Sequence, residues 1–209
     1  TGMMEAALVN VIAPGERLLV IENGQFGERF SAIGKALGAK VDTIVVPWGE
    51  AVDLGEVKRR LDEADTRALV AVHNESATGV VADLAGLGAL VKGRPTLLVV
   101  DSVSGLAGME MRQDEWGVDV LITGSQKALM CPPGLGLASI SEKAWPVIGR
   151  DSGMPRFYMD FRRARDAYDK GETAFTGPVP LVQALQASLK MMHEEGLANV
   201  YARHARLSR

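Results

Sequence analysis

Cysteine is almost absent: the 209 residues contain one, Cys131. A lone thiol excludes an intramolecular disulfide and fits a reducing compartment, so a cytoplasmic protein is expected. Long apolar runs are missing too. None approaches the roughly 18 residues that a bilayer-spanning helix needs, and no signal peptide is visible, although Thr1 is not a natural start. Charge of either sign is not in excess. The balance of 23 basic and 26 acidic side chains is −3, which leaves no global electrostatic footprint for nucleic acid or a membrane surface. There is no internal repeat, low-complexity tract or flexible linker. What remains is 47% hydrophobic and 23% charged, the composition of an ordinary globular domain large enough for a sizeable core.

The chain alternates strand-like and helix-like segments. Met3, Met4, Ala7, Leu8, Val11 and Ile12 recur at helical spacing until Pro14-Gly15 stops them. Strands are expected over 17–23, 41–47 and 68–73, with helices between them along Phe26, Phe30, Ile33 and Leu37 and along Leu54, Val57 and Leu61. Asp53 is placed to cap the second of these, with Glu56 in position for a capping box. Asp83 starts a short helix through Leu84, Leu87 and Leu90. Further strands are expected over 96–100, 120–123 and 135–140. The pattern then changes, with a short helix over 142–148, a mixed aromatic and basic stretch over 157–168 lacking a clear face, and helices over 181–196 and 197–209. Such alternation implies an α/β protein with a mainly parallel sheet covered on both faces.

Two of these strands end in chemistry. The run Thr96–Val100 leads into Asp101-Ser102-Val103-Ser104, and Val120–Thr123 leads into Gly124-Ser125-Gln126-Lys127. Both charged groups then stand at the carboxyl edge of the sheet, where open α/β sheets bind ligands. A carboxylate and an amine held there suit pyridoxal phosphate: the amine attaches to the cofactor, and the carboxylate keeps the pyridine nitrogen protonated so that the ring serves as an electron sink. Taken singly, Lys127 reads as a surface lysine and Asp101 as a turn cap. Together, ahead of Cys131-Pro132-Pro133-Gly134, they favour the cofactor.

The motifs around these residues extend the reading. Asp101-Ser-Val-Ser, Gly124-Ser-Gln-Lys-Ala-Leu with Pro132-Pro133-Gly134, and His73-Asn-Glu-Ser-Ala-Thr-Gly79 resemble the class V aminotransferases of fold type I. The resemblance is strongest to the alanine–glyoxylate and serine–glyoxylate (serine–pyruvate) branch. Asn10-Val-Ile-Ala-Pro-Gly15 and Asn23-Gly-Gln-Phe-Gly-Glu-Arg29 carry it across nearly the whole chain. It implies a three-layer α/β/α sandwich around a mainly parallel seven-stranded sheet. The 209 residues would form the cofactor-binding large domain, without an N-terminal arm and a C-terminal small domain.

Roles follow from the resemblance residue by residue. Lys127 matches the lysine joined to pyridoxal 5'-phosphate, and Asp101 the partner of its ring nitrogen. Val103 matches the residue under the ring, and Phe26 the aromatic stacked on the other face. Ser76 matches a serine near the phenolic oxygen, and Gln126 a phosphate contact. Thr1 and Gly2 match the end of a small-residue loop that meets the phosphate at a helix N-terminus, a favourable anion site. Thr176 matches a threonine that reaches the phosphate of a neighbouring subunit's cofactor, which implies a homodimer with a shared site. The tyrosine often found near that threonine is replaced by Thr173.

The implied reaction is amino transfer from a small amino acid, alanine or serine, to a 2-oxo acid, glyoxylate or pyruvate, with Lys127 as general base. The alternatives are a lyase or desulfurase on the same scaffold, or a cofactor-binding dimerisation domain inactive without its C-terminal domain. That missing domain is where the family's substrate-carboxylate arginine is expected. His73 reads as a packed strand-end residue, Cys131 as a buried spacer, and the Arg162–Arg165 run as a solvated or intersubunit surface. No metal site, nucleic acid or membrane partner is expected.

Overall fold

The β-branched runs form strands, and the polar or helical-period segments between them form helices. The computed structural model describes residues 1–208, so the expected end of the last helix at Arg209 lies outside the described residues. The strands are β1 (Arg17–Glu22), β2 (Lys40–Val45), β3 (Ala68–Val72), β4 (Asn74–Glu75), β5 (Val80–Val81), β6 (Leu97–Asp101), β7 (Val120–Gly124) and β8 (Gly136–Ile140). The helices are α1 (Gly2–Val11), α2 (Gln25–Ala36), α3 (Leu54–Glu63), α4 (Leu84–Val91), α5 (Trp145–Gly149), α6 (Phe161–Tyr168), α7 (Val179–Glu195) and α8 (Leu197–Leu207).

One sheet has the order β2-β1-β3-β6-β7-β8. All its pairings are parallel except that of β7 with β8. Strand side chains alternate between faces, and the packing follows that alternation. Leu18 and Val20 of β1 join Leu8 and Ile12 near α1, Phe30 of α2 and Ile148 of α5. Leu19 and Ile21 of the same strand join Val57 and Leu61 of α3 and Leu87 and Val91 of α4. Two apolar layers therefore sandwich the sheet, as expected for a three-layer α/β/α protein. A smaller cluster of Ala107, Leu129, Met192 and Val200 seats α7 and α8 against the loops beside it.

Three details differ from expectation. The sheet has six strands, not seven, among the described residues. The polar stretch after His73 folds back on itself as the antiparallel β4–β5 pair, and the chain after β8 turns helical. Glu56 forms no capping box; its carboxylate turns outward to Arg59, and Asp53 caps α3 alone through the Gly55 amide. The stretch without a clear face contains α6, started by Asp160, which accepts the Arg162 amide. Its exposed basic face hid it from an apolar-period reading.

The topology switches direction between β1 and β3, since β2 lies on one side of β1 and β3, β6, β7 and β8 lie on the other. This is the place where doubly wound sheets open a crevice at their carboxyl ends. The first turn of α2 presses against the end of β1 there. A Cβ added to Gly27 would collide with the Ile21 carbonyl oxygen and lie 2.9 Å from the Glu22 Cα, so α2 reaches this position only with glycine.

His73, one residue beyond β3, is 2% exposed. Its amide donates to the Asp101 carbonyl at 2.8 Å, its Nδ1 shares a 2.8 Å hydrogen bond with the Ser102 hydroxyl, and its ring meets Trp116 edge-on at 6.4 Å. It is a packed strand-end residue, as read from the sequence. Burial pushes its imidazole down to about 4. Glu16, just ahead of β1, moves in the acid direction too. Burial alone would raise it, but hydrogen bonds from Arg150 and Arg67 prevail and hold it at about 2.

Gly27→Ala should destabilise the protein by ~1–3 kcal/mol through overpacking against backbone, measured by chemical denaturation; an unchanged midpoint contradicts the close approach. For His73, the depressed native value means that the unfolded chain binds the proton more readily. Stability is then complete above pH 6.5 and falls as pH drops from there toward 4, by up to about 1.4 kcal/mol per pH unit. Between pH 6.5 and 5, where Glu16 stays ionised, His73→Gln should flatten the thermal-stability profile. A mutant slope equal to wild type contradicts the assignment.

Candidate active site

The register of three neighbouring parallel strands creates the centre of the site. Val72 of β3 lies beside Asp101 of β6, and Asp101 lies beside Ile122 of β7. All three line a cavity of about 1240 Å³ at the carboxyl edge of the sheet. Lys127 lines it as well, three residues past the end of β7. The loop that carries Lys127 is tied down by buried Ser125. Its Oγ donates to the Pro132 carbonyl at 2.7 Å and accepts the Leu135 amide at 3.2 Å, while its carbonyl accepts the Cys131 amide at 3.0 Å. Within the loop Met130 takes a left-handed conformation with φ 56°, rare for a side chain other than glycine, asparagine or aspartate. Cys131 is buried and donates weakly to the Leu129 carbonyl at 3.2 Å, a packing role.

Every residue singled out from the sequence faces this one cavity: Lys127, Asp101, Val103, Gln126, Ser76, Phe26, Thr1, Gly2 and Thr176. They come from six separate segments of the chain. The Ser76 hydroxyl is hydrogen-bonded to that of Ser104. The Thr1 hydroxyl at the start of α1 caps nothing and accepts a 3.0 Å hydrogen bond from Arg29 Nη1. The Arg29 guanidinium lies 4.7 Å from the centroid of the Phe26 ring. Thr176 lines the cavity of its own chain and does not cap α7, whose N-cap is Pro178.

Asp101 is distinguished by what it lacks. It is 3% exposed, and burial pushes its carboxyl up, against the Val103 amide that holds it down. That amide, at 2.8 Å, is its one side-chain hydrogen-bond partner, and it forms no ion pair among the described residues. The other buried carboxylates are better served. Asp119 binds Lys143, Ser141 and the Leu98 amide, and Asp160 binds Arg162 twice over. A buried acid with spare acceptor capacity facing a cavity is suited to a cationic N–H donor.

Several lining residues had not been singled out. Ser104 and Arg29 sat inside quoted motifs without a role. Tyr158 and Phe175, with ring centroids 5.0 Å apart, were given no role, although Phe175 directly precedes Thr176. Arg165, expected on a solvated surface, also lines the cavity and stacks over Trp145 at 4.3 Å. Arg162 and Arg163 are occupied elsewhere, by Asp160 and by the Phe157 ring.

Comparison with known proteins gives a family. The model described as Aminotransferase class-V matches residues 2–209. The chain is 40% identical to the soluble hydrogenase 42 kDa subunit of Anabaena cylindrica, covering 99% of this chain and 55% of that protein. It is 39% identical to a serine–glyoxylate aminotransferase of Arabidopsis thaliana, covering 100% and 53%. Among solved structures, an alanine–glyoxylate aminotransferase from Nostoc sp. superposes with a TM-score of 0.93 at 35% identity, over 98% of this chain and 55% of that one. The chain thus spans about half the length of the curated relatives it matches. On the family match, the identities and the shared fold, this chain belongs to the class V aminotransferases.

Proposed function

We propose that the protein holds pyridoxal 5'-phosphate in this cavity and transfers an amino group from a small amino acid, alanine or serine, to a 2-oxo acid such as glyoxylate or pyruvate. The observation that carries the reading is Asp101, a buried carboxylate with one side-chain hydrogen bond and no ion-pair partner among the described residues, lining the same cavity as Lys127. The residues present fit the group. Lys127 would attach to it, Asp101 would accept the N–H of its ring, and Phe26 and Val103 would contact the ring. Ser76 would approach its phenolic oxygen. Gln126, Thr1 and Gly2 would serve its phosphate, the latter two from the N-terminus of α1, where backbone N–H groups lack helical partners.

When bound, the cofactor supplies an electron sink for a carbanion at the substrate's Cα. Asp101 would sustain that sink by pairing as a carboxylate with a protonated ring nitrogen, which would offset the cost of its burial. Lys127 Nζ would remove the substrate's Cα proton and pass it on, as a general base and then acid. The loop anchored by Ser125 fixes the backbone from which Lys127 reaches into the cavity. The relatives named as glyoxylate aminotransferases support transamination over the lyase or desulfurase alternative. A homodimer in the cytoplasm completes the proposal. No described helix is long and apolar enough to cross a membrane.

Asp101→Asn should leave the fold nearly intact and cut amino transfer to glyoxylate by orders of magnitude, assayed in the longest natural form of the protein. Near-wild-type turnover would place the electronic role elsewhere. The shared-site proposal has its own test. Thr176→Ala subunits are mixed with Lys127→Ala subunits, and cofactor affinity is measured at the only lysine-bearing site of the heterodimer. If Thr176 acts across the interface, that site receives an intact threonine from the Lys127→Ala partner and keeps wild-type affinity. The weakened affinity of the Thr176→Ala homodimer would show that the threonine serves its own subunit, as its place on its own chain's cavity would then explain.

A further inference from the structure

The most deeply buried carboxylate in the region has no place in the proposed chemistry. Glu75 is 0% exposed, yet it forms no ion pair among the described residues. Its two oxygens are spent on backbone amides. Oε2 accepts from Phe26 at 2.9 Å and Gly27 at 3.3 Å, and Oε1 accepts from Ala77 at 3.0 Å. Phe26 and Gly27 open α2, whose first amides have no partners within the helix. The residue at the helix's own N-cap, Gly24, has no side chain to satisfy them. A Cβ at Gly24 would run into the Glu75 side chain. A local cap is therefore replaced by one contributed from 49 residues away, and the glycine makes the space for it.

We infer that Glu75 is a positioning residue that clamps two walls of the cavity together, setting Phe26 through the α2 amides and Ser76 through the turn closed at Ala77. The inference rests on the proposed cofactor reading for what the two walls hold. The geometry is specific to a carboxylate. Three N–H donors converge on two acceptor oxygens, and an ionised acid at a helix N-terminus also meets the positive end of the helix dipole. An amide would turn an NH2 group toward one set of donors and lose that side of the clamp. Gly27 prevents α2 from relaxing inward, because its backbone already abuts β1, so release of the clamp leaves the Phe26 ring free to shift along the cavity wall. On the other side, Ser76 hydrogen-bonds to Ser104, so loosening the Ala77 turn disturbs two hydroxyls of the site.

The test is a double-mutant cycle on pyridoxal phosphate affinity, with Glu75→Gln, Phe26→Ala and the double variant, together with amide hydrogen exchange of the cofactor-free proteins. Glu75→Gln should weaken affinity roughly tenfold, as expected for lost charge-assisted hydrogen bonds. Most of that loss should vanish in the Phe26→Ala background, since residues acting as a unit are not additive. At saturating cofactor, the visible circular-dichroism band of Glu75→Gln should lose intensity, which a uniform loss of stability would not cause. The Phe26, Gly27 and Ala77 amides should exchange faster. Gly24→Ala, which crowds Glu75 while keeping its charge, should weaken affinity in the same direction and serves if Glu75→Gln does not fold. Additive losses with an unchanged band, or unchanged exchange at the three amides, overturn the inference. If wild type fails to bind the cofactor while the amides respond to Glu75→Gln, the clamp stands and the cofactor reading falls.

Discussion

The parallel ladder joining β3, β6 and β7 sets Val72, Asp101 and Ile122 abreast, and the chemistry of the site depends on that register. The ladder continues beyond the formal strand ends, where the His73 amide donates to the Asp101 carbonyl and the Ser102 amide to the Ile122 carbonyl, both at 2.8 Å. Asp101 is thus held by backbone on both sides while its carboxylate stays largely unoccupied. A slip of one residue would turn this side chain to the opposite face of the sheet. Fully buried residues on both faces of β3, β6 and β7 make such a slip costly.

Around this fixed centre the walls are assembled by contacts of long sequence separation. α2 is drawn to the cavity by Gly27 against β1 and by Glu75 at its amino end. α1 is joined to α2 by Arg29 on Thr1. The Lys127 loop closes on Ser125, with Ser188 of α7 donating to the Leu129 carbonyl behind it. Contacts within the chain thus hold the backbone of three cavity walls, and a wall already held lowers the ordering cost of binding.

Much of this was legible because strand ends announce themselves. A β-branched run that stops at Asp101, and another that stops before Lys127, place two charged groups on one edge by topology alone. Helix caps at Asp53 and Asp83 were equally local signals, and both form. What stayed hidden depends on partners distant in sequence. Glu75 and Arg29 stood in quoted motifs without a role, because the donors to Glu75 lie near position 26 and the partner of Arg29 is Thr1. Tyr158 and Phe175 carry no motif, and α6 escaped notice because its inward face is little more than Phe161. The seventh strand was an expectation of resemblance, not of pattern; no β-branched run in the chain calls for it.

The proposal that this edge holds pyridoxal phosphate on Lys127 is tested most directly by borohydride reduction of the cofactor-loaded protein, followed by proteolysis and mass spectrometry. The account predicts loss of the visible absorption band and a pyridoxyl group on the peptide containing Lys127. Attachment at a different lysine, or no trapped cofactor at all, would contradict it.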